Sequence, residues 1–309
     1  MSKYTVPTFS LAMLHPKYWC VLLIISISYL CSLLPYAIQL RLGKLIGRVV
    51  LSFMKSRTRT IKRNLELCFP DMTVTEREKL AKQNIENTGL ALLETGMAWF
   101  WSNERIAKHT TVVGMEHIDK LKAEGRGALL IAVHSLNLEL SGRAFGQYAQ
   151  GMAVYRPNNN PCFDYFQLKG RSQGGHTLIH RKNVKFMLEA LNDGAFMWYA
   201  PDHDYGRRRS TFAPLFAVEN ACTTTGTSLL ADNTNCAIVP VVFVRDNDSG
   251  HYTLTIKEPM IDKFPTGDEH AGACFINKIV EESIMDAPSQ YMWLHRRFKN
   301  RPEGEASLY

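Results

Sequence analysis

The chain has 309 residues, 46% hydrophobic and 21% charged, which excludes wholesale disorder and collagen-like repetition and leaves ample material for a large core. Its net charge is +7, but the excess is local. Arg41, Lys44, Arg48, Lys55, Arg57, Arg59, Lys62 and Arg63 fall in one stretch without an acid, and setting these eight aside leaves 28 basic against 29 acidic residues. A generally basic surface for nucleic acid is not what this distribution describes.

From Tyr18 to Leu34 runs an uncharged apolar stretch of 17 residues, YWCVLLIISISYLCSLL. At 1.5 Å per helical residue it sits at the lower edge of what crosses a hydrocarbon core of ~30 Å. Tyr18, Trp19 and Tyr36 suit the two interfaces. A cleaved signal peptide fits poorly, because no small-x-small site follows the run. We expect residues 1–40 to carry a single membrane-spanning helix over about 18–34, a buried soluble helix being the alternative. The basic residues that follow it predict, by the positive-inside rule, that the remaining chain lies in the cytoplasm behind a single membrane pass. Within 41–63, Leu42, Leu45, Ile46, Val49, Val50 and Phe53 recur at helical spacing, with Arg41, Lys44, Arg48 and Lys55 between them. That pattern predicts a basic amphipathic helix lying in the headgroup plane of an anionic leaflet.

Residues 64–309 form the expected cytoplasmic domain. Thr73-Val74-Thr75-Glu76 has capping-box spacing and opens a long helical pattern towards Trp101. Short buried strands are expected at 127–133, 195–200 and 237–244, a half-exposed strand at 252–256, and helices at 184–191, 224–232 and 274–285. Their alternation predicts an α/β fold with a mainly parallel sheet flanked by helices, behind an N-terminal membrane-anchoring helix. The seven cysteines are scattered and form no C-x-x-C pair, which speaks against a disulfide scaffold or a zinc site and for reduced apolar fillers.

In such sheets ligands collect at the carboxyl ends of strands. Two expected strands end in polar clusters, HSLNLE at 134–139 and PDHDYGRRR at 201–209. His134 and Glu139 are five apart, about 140° on a continuous helix, but a strand-end turn lets the carboxylate swing back under the imidazole. A carboxylate fixes the tautomer of a histidine that takes a proton, which would let His134 activate an alcohol directly. The plain alternative is a strand-end histidine paired with a helix-start acid for stability. There is no G-x-S-x-G for a serine hydrolase.

HSLNLE is similar to the H-x-x-x-x-D/E signature of glycerolipid acyltransferases. YRPNNNPCFDYFQLKGR, APDHDYGRRRSTFAPLFAVENACTTTGTS and QYMWLHRRFKNRPEGEASLY resemble the secondary (late) acyltransferases of lipid A biosynthesis in Gram-negative bacteria, most like their lauroyl/palmitoleoyl branch. The resemblance covers essentially the whole chain. It implies a glycerolipid-acyltransferase-like fold, transfer of a fatty acyl group from acyl carrier protein to a 3-hydroxyacyl chain of Kdo2-lipid IVA, and contact with inner-membrane lipids. It needs no metal and no cofactor. His134 would be the general base and Glu139 its partner, with Arg156, Arg171, Arg181, Asp202 and Arg207 as substrate-binding residues. Arginine suits the phosphates of such an acceptor and an acidic carrier protein, although any of these arginines can instead be solvated or structural. Asp202 either orients an arginine or a substrate hydroxyl, or caps the chain after Pro201. Trp293, His295, Arg296 and Arg297 are read as packing plus phosphate contacts. A lysophospholipid acyltransferase and a non-catalytic lipid-binding adaptor are the competing functions.

Overall fold

The computed structural model describes Lys3, Tyr4 and residues 8–309; residues 1, 2 and 5–7 of the expected N-terminal segment lie outside it. After the short strand β1 (Lys3–Tyr4) come four helices, α1 (Trp19–Leu33), α2 (Tyr36–Phe53), α3 (Lys55–Cys68) and α4 (Val74–Phe100). Pro35 ends the apolar run: Leu34 before it is extended at ψ 156°, the conformation a following proline imposes. The single amphipathic helix expected over 41–63 is instead two helices. Met54, at φ −89° and ψ 55°, breaks them, and α2 already begins at Tyr36. The capping box at Thr73 and Glu76 forms as its spacing predicts.

Then follow α5 (Asn103–His109), β2 (Thr110–Val113), α6 (Met115–Ala123), β3 (Ala128–Ile131), α7 (Leu138–Phe145), β4 (Met152–Tyr155), α8 (Pro161–Ser172) and β5 (Thr177–His180). The chain continues through α9 (Val184–Asn192), β6 (Phe196–Tyr199), a hairpin β7 (Ser210–Leu215) and β8 (Val218–Thr224), α10 (Gly226–Asp232), β9 (Ala237–Arg245), β10 (Tyr252–Ile256) and α11 (Glu269–Met285). The main sheet has the order β1-β5-β4-β6-β3-β9-β10-β2. Its central strands β5, β4, β6, β3 and β9 are all parallel, with β10 antiparallel to β9.

Strand β3 is buried along its whole length, as a central parallel strand must be when helices cover both faces. Its side chains alternate between two cores. Leu129 and Ile131 join Met197, Ile238, Met187 and Val280 on one face. Ala128 and Leu130 join Val239, Leu140, Phe145 and Met97 on the other.

Helix α4 carries α2 across its back with almost no room between them. A Cβ on Gly89 would stand 2.1 Å from the Gly47 nitrogen and 2.2 Å from the Gly43 oxygen, so the backbones touch where neither helix has a side chain. We expect Gly89→Leu to cost about 1–3 kcal/mol or more by overpacking. Gly142→Ala, in α7 with open space around it, should be neutral or slightly stabilising. Thermal unfolding of both variants checks this, and equal melting temperatures would refute the close crossing.

Candidate active site

Strands β3 and β6 are parallel neighbours, with Ile131 opposite Tyr199. His134 and Asp202 each lie three residues beyond those partners, so the register delivers them to the same point on the carboxyl rim. There the His134 ring nitrogen Nδ1 lies 2.7 Å from Asp202 Oδ1, and the His134 backbone N–H donates to Oδ2 at 3.0 Å. The Tyr291 hydroxyl donates to the same Oδ2 at 3.0 Å. Asp202 is fully buried, whereas the His134 side chain is 23% exposed. Burial opposes charge on Asp202. The adjacent imidazole and these hydrogen bonds overcome it and hold the carboxyl well below its usual range. An ionised acid can only accept, so Nδ1 of His134 donates to it, and Nε2, on the other side of the ring, is left for another partner.

The partner of the imidazole is therefore Asp202, where spacing along the chain suggested Glu139. Glu139 lies in the first turn of α7 and faces away into the seam with α8. Arg171 grips it through Nε, at 3.0 and 3.1 Å from the two oxygens, and through Nη2, while Trp99 Nε1 donates at 3.2 Å. Burial opposes the Glu139 charge, but Arg171 wins and keeps its pKa low. The physical reason for the exchange is reach. Helix α7 starts four residues after His134 and turns the acid towards α8, while a neighbouring strand brings Asp202 in by register.

The other expected residues divide by exposure. Arg171 is committed to Glu139 and lies over the Tyr155 ring at 5.4 Å. Arg156 and Arg181 follow β4 and β5 directly, where Tyr155 pairs with His180, and both are exposed on the same rim as His134. Arg207 is exposed in the loop before β7. Arg297 is a buried structural group instead of a phosphate ligand, since its guanidinium donates to the Cys222 carbonyl at 2.7 Å and to Thr223 Oγ1 at 3.1 Å. Trp293 is likewise core.

Two side chains had no role in the reading of the sequence. Tyr291 completes the hydrogen bonding of Asp202, brought there by the segment after α11, which runs over the strand ends; Leu136 N–H donates to the Gln290 carbonyl at 2.8 Å. His203 stacks on His134 with ring centroids 3.6 Å apart, and His295 stacks on its other face at 4.1 Å. Repetition of histidine at 134, 203 and 295 was the available signal. Donor atoms of His134, Asp202 and His203 lie within 4.8 Å of one another. Stacked imidazoles, however, direct their ring lone pairs along parallel planes, whereas a metal needs them to converge on one point. The column suits holding a ring in place.

Burial, with the flanking imidazoles assisting, lowers the His203 pKa to about 3. An unfolded histidine titrates near ~6.5, so the unfolded chain binds this proton first as the medium acidifies. The contribution is complete above ~6.5 and is lost as pH falls towards the folded value. We expect the melting temperature of the wild type to drop over that window and that of His203→Phe to drop less. Parallel declines would show that His203 is not buried as a neutral ring.

The chain is an enzyme of the acyltransferase class. It belongs to the bacterial lipid A biosynthesis acyltransferase family, whose model matches residues 6–300. It is 50% identical over 304 residues to the lipid A biosynthesis lauroyltransferase of Escherichia coli (strain K12), covering 98% of this chain and 99% of that one. It is 43% identical to the lipid A biosynthesis palmitoleoyltransferase of the same strain (97% and 98% covered), and 26% identical to its myristoyltransferase (98% and 94% covered). The resemblance read from the motifs, including its branch, is borne out.

Proposed function

We propose that the chain transfers a fatty acyl group from acyl-[acyl-carrier-protein] to a 3-hydroxyacyl chain of Kdo2-lipid IVA, at the cytoplasmic face of the inner membrane. The observation that carries this reading is the His134 imidazole, seated on a buried, ionised Asp202 with its second nitrogen open. Nε2 removes the acceptor's hydroxyl proton as the oxygen attacks the thioester carbonyl. A tetrahedral oxyanion forms and collapses, the carbon–sulfur bond breaks, and the imidazolium returns its proton to the departing thiolate. No covalent acyl-enzyme is required. Glu139 is a positioning residue in this scheme, fixing Arg171 beside the site. Arg156, Arg181 and Arg207 are assigned to phosphate groups of the acceptor or acids of the carrier protein.

Supporting the assignment are the family, the names of the curated relatives and the alignment of exposed arginines along one rim. Purified protein offered labelled acyl carrier protein together with either Kdo2-lipid IVA or a lysophospholipid tests it, read by mass spectrometry of the products. Acylation of the first alone is expected. Acylation of the lysophospholipid instead, or of neither, would overturn the proposed acceptor.

A further inference from the structure

We propose that His203, pressed flat between His134 and His295, is a positioning residue. Its ring face fixes the plane of the His134 imidazole, and with it the direction from which Nε2 meets the acceptor hydroxyl. The proposal rests on the general-base reading above and extends it to a side chain outside the dyad.

A hydrogen bond fixes a point and leaves a plane free. Nδ1 of His134 is held 2.7 Å from Asp202 Oδ1, but the χ2 torsion that sets the tilt of a histidine ring is soft. Turning the ring about that bond would swing Nε2 through an arc. The face contact closes this freedom. The His134 and His203 centroids are 3.6 Å apart and their planes differ by 11°, so the rings meet at van der Waals distance and neither tilts without striking the other. His295 lies against the far side of His203 at 4.1 Å and 8°, which leaves His203 no room to give way.

The rings alone would not choose this arrangement, since aromatic pairs prefer offset or edge-to-face contacts. The backbones impose it. On one side of His203 along the chain is Asp202, which accepts from the His134 N–H and Tyr291. On the other is the buried Asp204, which accepts from the Gly206 N–H at 2.9 Å and the Asn300 N–H at 2.8 Å. The far ring is set by α3: Asn64, itself buried, donates through Nδ2 to the His295 carbonyl at 2.8 Å and the Trp293 carbonyl at 2.7 Å. No hydrogen bond at His203 Nε2 or His295 Nδ1 accounts for the two histidines, because both atoms are buried without a partner. What the column offers is its flat faces.

The charges bearing on His203 are those of Asp202, His134, His295 and Arg297, and burial outweighs them to keep the ring neutral. As Nε2 of His134 takes the hydroxyl proton, the positive charge therefore forms against an uncharged aromatic face, which attracts it. A protonated neighbour would repel it.

The test compares the full wild-type chain with His203→Phe, which keeps a flat face, and His203→Leu, which fills the space without one. Both kcat and KM are measured with an acyl carrier protein thioester and Kdo2-lipid IVA, beside a melting curve for each protein. We expect His203→Leu to lower kcat by about tenfold to a hundredfold, the scale of a misplaced reacting group, with KM little changed, and His203→Phe to restore most of it. Equal kcat in the two variants would overturn the proposal: both high would make the face dispensable, and both low would assign the effect to the imidazole nitrogens. A loss confined to KM would overturn it as well. Should His203→Leu fail to fold, His295→Leu and His295→Phe loosen and restore the column one ring further out, judged by the same criterion. His134→Ala, assayed in parallel, separates the two readings. Its undiminished turnover would remove the base itself, whereas dependence on His134 with no difference between the Phe and Leu variants would remove only the positioning role.

Discussion

His134→Ala is expected to abolish acyl transfer while leaving the fold and the membrane association intact. The imidazole is the one group in the dyad that meets both the interior carboxylate and the solvent-facing rim, so no neighbour replaces its Nε2. Its rings of contact are stacking contacts with His203, and their loss leaves a surface-connected gap in place of a sealed cavity. General-base assistance alone is worth about two to four orders of magnitude, and loss of a proton acceptor also removes the acid that returns the proton to the leaving sulfur. Product formation under single-turnover conditions, set beside a melting curve and a membrane-fraction assay, reads the three properties separately. Undiminished turnover in this variant would remove His134 from the chemistry.

The second large effect is expected at Asp202→Asn, which keeps the shape and changes only the hydrogen-bond pattern. Oδ1 accepts from the ring and Oδ2 from both the His134 backbone and Tyr291. An amide offers only one acceptor oxygen. If that oxygen serves the backbone N–H, the NH2 group faces Nδ1 and forces the proton to Nε2, where the base should be. If the amide turns round, its NH2 opposes the backbone N–H and a buried donor goes unsatisfied. The first arrangement predicts a kcat lower by about four orders of magnitude, the scale of the same substitution in a serine-protease triad, with KM little changed. Measurement of kcat at saturating donor and acceptor decides it, and a loss confined to KM would return Asp202 to the substrate-binding role suggested by its sequence context.

The two polar clusters were legible because each ends a recognisable apolar run. Which acid meets the histidine was not, for spacing along the chain is visible in a sequence and register between strands is not. Glu139, five residues away, therefore looked nearer than Asp202, 68 residues away. The four-residue strands β4 and β5 were missed for a related reason, being too short for a period of two to stand out. The amphipathic phase of 41–53 was legible, whereas the use of Gly43 and Gly47 as the point of contact with α4 depends on a partner helix whose path no local pattern reveals. Composition measured how apolar α1 is.

One helix links α2 to the carboxylate of Asp202. While α4 takes α2 against Gly89, its Asn84 amide holds the Ser289 and Tyr291 carbonyls at 2.9 and 2.7 Å, and Asn87 holds Ser289 at 2.9 Å. Tyr291 in turn completes the shell of Asp202. The packing of α2 and the hydrogen bonding of the dyad thus share a single helix. A solubilising agent that spreads α2 from α4 would slacken that tyrosine before the sheet itself loosened, so turnover would fail earlier than the melting curve as the detergent is made harsher.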